Sequence, residues 1–308
     1  MKKICIFLVF SLILACDSPQ QSNEKKIPID VYTTFYPTAY FAKRIAGQYA
    51  NVVCPVPQDE DAIFWKAYKH PEIIQKYQQA DLIILNGAKF AKWVRKVSLP
   101  QNKVVNTSKP FSKNFITIEN ATTHSHGDGK VHTHKGLDGH TWVDPHNAKV
   151  QAHEITKALC KILPQHKEQM QKNFTALQKD LDALIATLEQ YQKTANNNEP
   201  LLASHPAYNY IARTFSWNIK NLDLDPQTMP TPKQFAAIQA LQKKHPAKFI
   251  LWEEYPTDEI AKAFKDKLNL TSIEFSPCEL LGEEQQKQGE DYLSVMRKNV
   301  ANLQAIWK

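Results

Sequence analysis

The sequence predicts an α/β protein: two α/β lobes joined by one long rigid helix, with a cleft between the lobes. Three observations lead there. Apolar runs without polar alternation, such as Asp81-Leu82-Ile83-Ile84-Leu85, punctuate the front half, and such runs suit strands covered on both faces. A helical pattern without internal Gly or Pro then follows Pro164 to about residue 194. Behind it, over residues 197–308, apolar runs alternate with helical segments once more.

In the front lobe, residues 28–160, strands are expected near 27–34, 51–55, 81–85, 103–106 and 115–118. Helices are expected at 38–46, at 71–79 behind Pro71, and at 90–97. The bracing helix is assigned to 161–196. Pro164 suits its first turn, and Phe174, Leu177, Leu181, Leu184, Leu188 and Tyr191 step by three or four, as one buried face requires. About thirty residues at ~1.5 Å each would reach roughly 45 Å, the span of a domain. The back lobe, 197–308, reads as strands at 201–203, 218–222, 248–252 and 272–275, with helices at 207–215, 232–244, 258–267 and 291–306.

The amino-terminal residues bear on compartment. Lys2 and Lys3 precede an uncharged apolar run over 4–14, too short for a permanent membrane span and suited to a secretory signal. It ends in Leu12-Ile13-Leu14-Ala15-Cys16, which resembles the lipobox of bacterial lipoproteins. The resemblance implies that residues 1–16 hold the signal and lipobox, that Cys16 is acylated, and that the lipid holds the chain at the extracytoplasmic face of the membrane. Asp17 resembles the residue that retains Gram-negative lipoproteins on the periplasmic side of the inner membrane. Polar residues 17–27 read as a flexible tether.

A hydrophobic content of 43% and 22% charged residues fit a globular protein. The net charge of +7 comes in part from scattered lysines and from the signal and tether, with no basic stripe interleaved with aromatics, so nucleic acid is not an indicated partner. Beyond Cys5 and Cys16, three cysteines remain, Cys54, Cys160 and Cys278. An odd set cannot pair completely, and whether two of them form a disulfide stays open.

Residues 120–140 form a histidine-rich loop. His124, His126, His132, His134 and His140 stand among four glycines, and H-x-H spacing lets two imidazoles meet one ion. The glycines argue for a mobile segment in which His124, His126, His132 and His134 catch metal loosely. Imidazole density points to zinc or a similar metal rather than magnesium or calcium.

His140-Thr141-Trp142-Val143-Asp144-Pro145 and Ser204-His205-Pro206-Ala207-Tyr208 resemble two motifs of the zinc and manganese solute-binding proteins of bacterial ABC importers. Ala80-Asp81-Leu82-Ile83 leading to Asn86-Gly87, and Asp291-Tyr292-Leu293-Ser294-Val295-Met296-Arg297, extend the likeness over nearly everything from Val31 onward. The resemblance implies a metal site in the inter-lobe cleft, with His140 as front-lobe ligand and His205 as back-lobe ligand. It also implies capture of Zn2+, with Mn2+ or Fe2+ as alternatives, by a monomer that delivers it to an ABC importer permease.

The chain departs from the family where a V-P-x-G-x-D-P-H pattern supplies a further histidine. Here Val56-Pro57-Gln58-Asp59-Glu60-Asp61-Ala62-Ile63 puts Ile63 in that place. Glu60 and Asp61, with Asp59, offer oxygens that zinc accepts, and three adjacent acids equally suit a solvated turn. The family's late aspartate falls on Ser276. Glu253, at the end of an expected strand, should face the cleft mouth as a ligand, as an acceptor for a histidine, or as a lining charge. The chain contains no H-E-x-x-H, G-x-S-x-G or G-x-x-x-x-G-K-(S/T) motif, which disfavours a zinc hydrolase and an ATPase. A metal buffer or adhesin without a transport role stays as the alternative.

Overall fold

The computed structural model describes residues 28–58, 60–125, 131–194 and 199–307. Its front lobe opens with β1 (Ile29–Thr33), α1 (Tyr36–Ala46), β2 (Ala50–Val53), α2 (Pro71–Gln79), β3 (Leu82–Leu85) and β4 (Val104–Asn106). The four strands form a parallel sheet in the order β2-β1-β3-β4. Leu82, Ile83 and Ile84 are all buried, as the unalternated run predicts for a central strand. The segment expected to be helical at 90–97 is instead a 3-10 turn, Lys92–Lys96.

The histidine-rich segment has more backbone order than a loose loop. It forms an antiparallel hairpin of β5 (Thr117–Ser125) and β6 (Val131–Leu137), with a register irregularity between Ile118 and Thr122. The pairing sets His124 opposite His132 and Thr122 opposite His134. His126, Asp59, Cys16 and the expected signal and tether lie outside the described residues.

Two helices follow, where the sequence pattern predicts one. α3 (Pro145–Ile162) starts at Asp144, whose carboxylate accepts from the His146 amide, with Pro145 at the first helical position, where a missing N–H costs nothing. Its buried face mixes Ala148, Gln151, Ala152, Ile155 and Leu159, and that polar content hides the apolar period. After a 3-10 turn at Pro164–His166 comes α4 (Lys167–Thr194), the bracing helix, 28 residues long. Leu177, Leu181, Leu184 and Leu188 are buried along it. The back lobe then runs β7 (Leu201–Ala203), α5 (Asn209–Thr214), β8 (Ile219–Asn221), α6 (Pro232–Gln242), β9 (Phe249–Trp252), α7 (Asp258–Leu268), β10 (Thr271–Glu274), α8 (Glu283–Lys287) and α9 (Tyr292–Asn302). Its strands form a second parallel sheet in the order β10-β9-β7-β8.

The helices fasten the lobes together. α4 packs on α1, α3 and α9, and its Asp180 accepts from Arg44 of α1 at 3.0 Å and Arg297 of α9 at 3.1 Å. In the front lobe, Trp142 donates its indole N–H to the Pro277 carbonyl of the back lobe at 2.6 Å. Tyr292 of α9 returns a hydrogen bond to the Trp142 carbonyl at 2.8 Å, and its ring meets Phe41 edge-on. One hydrophobic cluster includes residues of both lobes, while a second fills the outer side of the back lobe around Ile250, Trp252 and Phe264. Cys54, Cys160 and Cys278 are free thiols. Among the described residues, no helix is long and apolar enough to cross a membrane.

The Asn86-Gly87 pair supports the segment that carries His140. Buried Asn86 donates to the Gly139 carbonyl at 2.9 Å and accepts from Thr141 Oγ1 at 3.0 Å and Gln151 Nε2 at 2.8 Å. Gly87 has φ +87°, and a Cβ there would fall 2.0 Å from Ser108 Oγ, so the turn requires glycine. At Gly139 a Cβ would lie 2.7 Å from Phe90 Cδ2 and 3.3 Å from Phe90 Cα. Gly139→Ala is expected to destabilise the fold by about 1–3 kcal/mol through overpacking. A lower urea midpoint at unchanged slope would bear this out, and an unchanged midpoint would contradict the close contact.

Candidate metal centre

Parallel sheets present loops at the carboxyl ends of their strands, where α/β proteins gather functional groups. Asp61 lies on the loop after β2, His205 two residues beyond β7, Glu253 immediately beyond β9 and Glu279 on the segment after β10. β6 ends at Leu137 and leads directly into Asp138 and His140. The two lobes thus contribute to one place.

His140 is only 1% exposed, and both of its ring nitrogens face carboxylates. Nδ1–H donates to Asp138 Oδ1 at 2.8 Å, and the same oxygen accepts the His140 amide at 2.9 Å. Nε2 stands 3.0 Å from Glu279 Oε1 across the cleft. Burial by itself would lower the His140 pKa, but the hydrogen bonds to Asp138 and Glu279 prevail and push it up to about 10. The His140 and His205 rings lie 5.6 Å apart and nearly perpendicular, and His205 is buried as well. Phe90 and Trp142 pack against the His140 ring at 6.1 and 5.5 Å between centroids.

Asp138 is itself buried. Its second oxygen accepts from Asn209 Nδ2 at 2.9 Å, and its carbonyl accepts from the Tyr210 hydroxyl at 3.0 Å. Asn209 and Tyr210 belong to α5 of the back lobe.

Asp61 closes a tight turn. Its Oδ1 accepts from the Ile63 amide at 2.7 Å, and its carbonyl accepts from Phe64 and Trp65. Burial and the nearby Glu279 push its carboxyl up to about 7, against the Ile63 and Phe64 amides and His140. Burial, then Glu279, push Glu253 up to about 8, with His140 opposing and Asp61 and Glu254 adding repulsion. Asp61, Glu253, Glu279 and His140 therefore lie within electrostatic reach of one another. Lys92, whose Nζ sits 3.8 Å over the Phe64 ring, is lowered by burial, with Asp61 opposing.

Of the residues singled out in the sequence, His140, His205, Asp61 and Glu253 come together here. Glu60 is half-buried on the Asp61 loop, and its amide donates to the Pro57 carbonyl. Ile63 is buried in the front-lobe core. Ser276, where the family's late aspartate is expected, lies in the irregular segment after β10. Its amide donates to Asn299 Oδ1 and its hydroxyl accepts from the Cys278 amide. The acid of this segment that reaches His140 is Glu279, three residues on, behind Cys278 in a left-handed conformation at φ +57°. Glu279 is the only acid between Glu274 and Glu283, a signal that could have singled it out. Asp138 could have been found from its D-x-H spacing to His140. Among the described residues, no three His, Cys, Asp or Glu side chains stand at metal-holding spacing.

The structure thus combines two α/β lobes with parallel sheets, a bracing helix and a histidine–carboxylate cluster at the strand ends. Solved structures with this fold match closely. The metal-dependent lipoprotein YcdH from Bacillus subtilis matches with a TM-score of 0.75 at 25% identity, covering 90% of this chain and 98% of that one. The Zn(II)-bound ZnuA-like domain of Streptococcus pneumoniae AdcA matches with a TM-score of 0.76 at 24% identity, covering 91% and 98%. The family described as zinc-uptake complex component A, periplasmic (ZnuA), matches residues 31–306, and the chain belongs to that family. The resemblance read from the two histidine motifs is thereby confirmed. Among curated relatives, the zinc-binding lipoprotein AdcA of S. pneumoniae serotype 4 is 28% identical over 98% of this chain. The high-affinity zinc uptake system protein ZnuA of B. subtilis is 28% identical over 94% of this chain and 92% of its own length. The chain spans 60% of the length of AdcA.

The raised pKa values fix the sign of a pH effect. Where the folded state keeps a proton that the unfolded chain releases, stability falls as pH rises. For Asp61 and Glu253 that window runs from their ordinary values of 3.8 and 4.5 up to about 7 and about 8. For His140 the stabilisation is complete below 6.5 and is lost as pH rises through about 10. The thermal midpoint of chelator-treated protein is therefore expected to fall steadily between the lower ends of these windows and their upper ends, and to fall less in Glu253→Gln. A midpoint that is flat or rising over that range would contradict the burial of these acids.

Proposed function

We propose that the chain captures zinc outside the cytoplasmic membrane and delivers it to the permease of an ABC importer. The observation that carries this reading is the pairing of His140 from one lobe with His205 from the other at 5.6 Å, with Glu279 reaching His140 from the back lobe. An ion bound there would join the lobes through its own bonds. Zinc takes imidazole nitrogens and carboxylate oxygens at about 2.0–2.2 Å, and this set supplies both.

In the metal-free state His140 holds a proton on Nε2 and shares it with Glu279. Binding exchanges that proton for the ion: the imidazole becomes a neutral ligand, and Glu279 turns from proton acceptor to ligand or close counter-charge. His140, His205 and Glu279 form the core of the proposed site. Asp61 and Glu253 complete it with oxygens, in place of the histidine that Ile63 excludes, and Glu60 belongs to the same acidic loop. Two imidazoles among carboxylates also accept Mn2+ or Fe2+. Membership of a zinc-uptake family and the zinc-binding relatives favour zinc.

In this reading His124, His126, His132 and His134 feed the cleft by loose capture. Cys16 carries the lipid anchor that keeps a monomer near the permease, and the ion is cargo, so the protein catalyses no reaction. Competition titrations with a zinc chelator test the assignment. His140→Ala, His205→Ala and Glu279→Gln should each lose affinity on the order of a hundredfold, and parent affinity should rise with pH as the Nε2 proton is displaced. Deleting residues 123–135 should remove weak sites and leave the tight one. Parental affinity in both histidine variants, or loss of all binding on deletion, would refute the assignment.

A further inference from the structure

A buried carboxylate has to be satisfied by hydrogen bonds, and Asp138 obtains them from both lobes. One oxygen accepts two N–H groups of His140, and the other accepts the Asn209 amide. Asn209 is attached on three sides. Its NH2 group also donates to the Pro206 carbonyl at 3.1 Å, next to His205, and its oxygen accepts from Asn221 Nδ2 of β8 at 2.8 Å. A single amide group thus touches the carboxylate behind one histidine and the backbone beside the other.

We propose that Asp138 and Asn209 form a cross-lobe relay that ties the orientation of His140 to the juxtaposition of the lobes, so that separating the lobes at α5 loosens the hold on the metal. The proposal rests on the zinc-capture reading. Asp138 fixes the ring so that Nε2 faces the cleft, as carboxylates behind metal-binding histidines do. What is particular here is that the carboxylate is itself held from the other lobe. If the lobes part at α5, Asp138 loses the Asn209 donor and must turn toward whatever donor replaces it. The imidazole that Asp138 steers is then no longer held in one position. Asp138 and Asn209 are positioning residues. A partner that pries the lobes apart would release the ion without touching it.

Asn209→Leu keeps the volume and removes the amide. It is expected to weaken zinc binding about tenfold, mostly through faster dissociation, in a protein that stays folded well below its thermal midpoint. Amide hydrogen exchange at His140, whose N–H donates to Asp138, should accelerate in the zinc-bound variant. A purely structural role would lower the midpoint but leave the dissociation rate and His140 exchange as in the parent. Asn221→Ala, which only removes the bond that orients Asn209, should give a smaller loss of about threefold, and it serves if Asn209→Leu does not fold. If the parent binds zinc tightly and the folded variants release it at the parental rate, the relay is wrong and the zinc-capture reading stands. If the parent itself binds no zinc, both fall.

Discussion

His140 lies between Asp138 and Glu279, and a ring buried to that degree has to satisfy both of its nitrogens. Asp138 comes from the same short segment, so one side is provided locally. Glu279 comes from the other lobe, more than a hundred residues away, so the other side is provided only when the lobes meet. Much of the structure around the cleft serves that meeting. Asn86 ties down Gly139 and Thr141 on either side of the ring, and Phe90 leaves no room for a side chain at Gly139. Trp142, two residues on, is held to Pro277 on the chain that leads to Glu279.

The acids around this ring are placed against their own repulsion. Asp61 and Glu253 are both pushed up by burial and by Glu279; His140 opposes the rise in each, joined at Asp61 by the Ile63 and Phe64 amides. A cluster with this charge balance is suited to a divalent cation, which would neutralise the carboxylates more completely than one imidazolium. Protons on the acids and on the imidazole supply that neutralisation in this structure, where His140 and Glu279 meet directly.

The bracing helix limits how freely the two lobes can part. α4 touches helices of both lobes, and Asp180 accepts from an arginine of each. Tyr292 and Trp142 join the lobes again near the cleft floor. Attachment continues at α5, where Tyr210, Arg213 and Thr214 donate to Asp138, Asn114 and Asp144 of the front lobe, so parting the lobes has to break polar bonds as well as apolar contacts.

Much was legible in the sequence. Unalternated apolar runs gave both parallel sheets because strands covered on two faces leave no polar alternation, and the three-four spacing of Leu177, Leu181, Leu184 and Leu188 gave the long helix. The histidine motifs led to His140 and His205 because each sits beside residues with strict local roles: Asp144 caps α3, and Ser204 prolongs β7 by donating its amide to the Leu251 carbonyl. α3 was hidden by the polar residues on its buried face. Glu279, though the lone acid of its segment, and Asp138, though two residues from His140, carry no periodic signal, and their partners in the opposite lobe, His140 and Asn209, are distant in sequence, Asn209 standing seventy-one residues from Asp138. Chain-local periodicity and capping are written in neighbouring residues and can be read from them. Which acid meets which imidazole is decided by the packing of two separate sheets about α4, and that is a property of the tertiary structure alone.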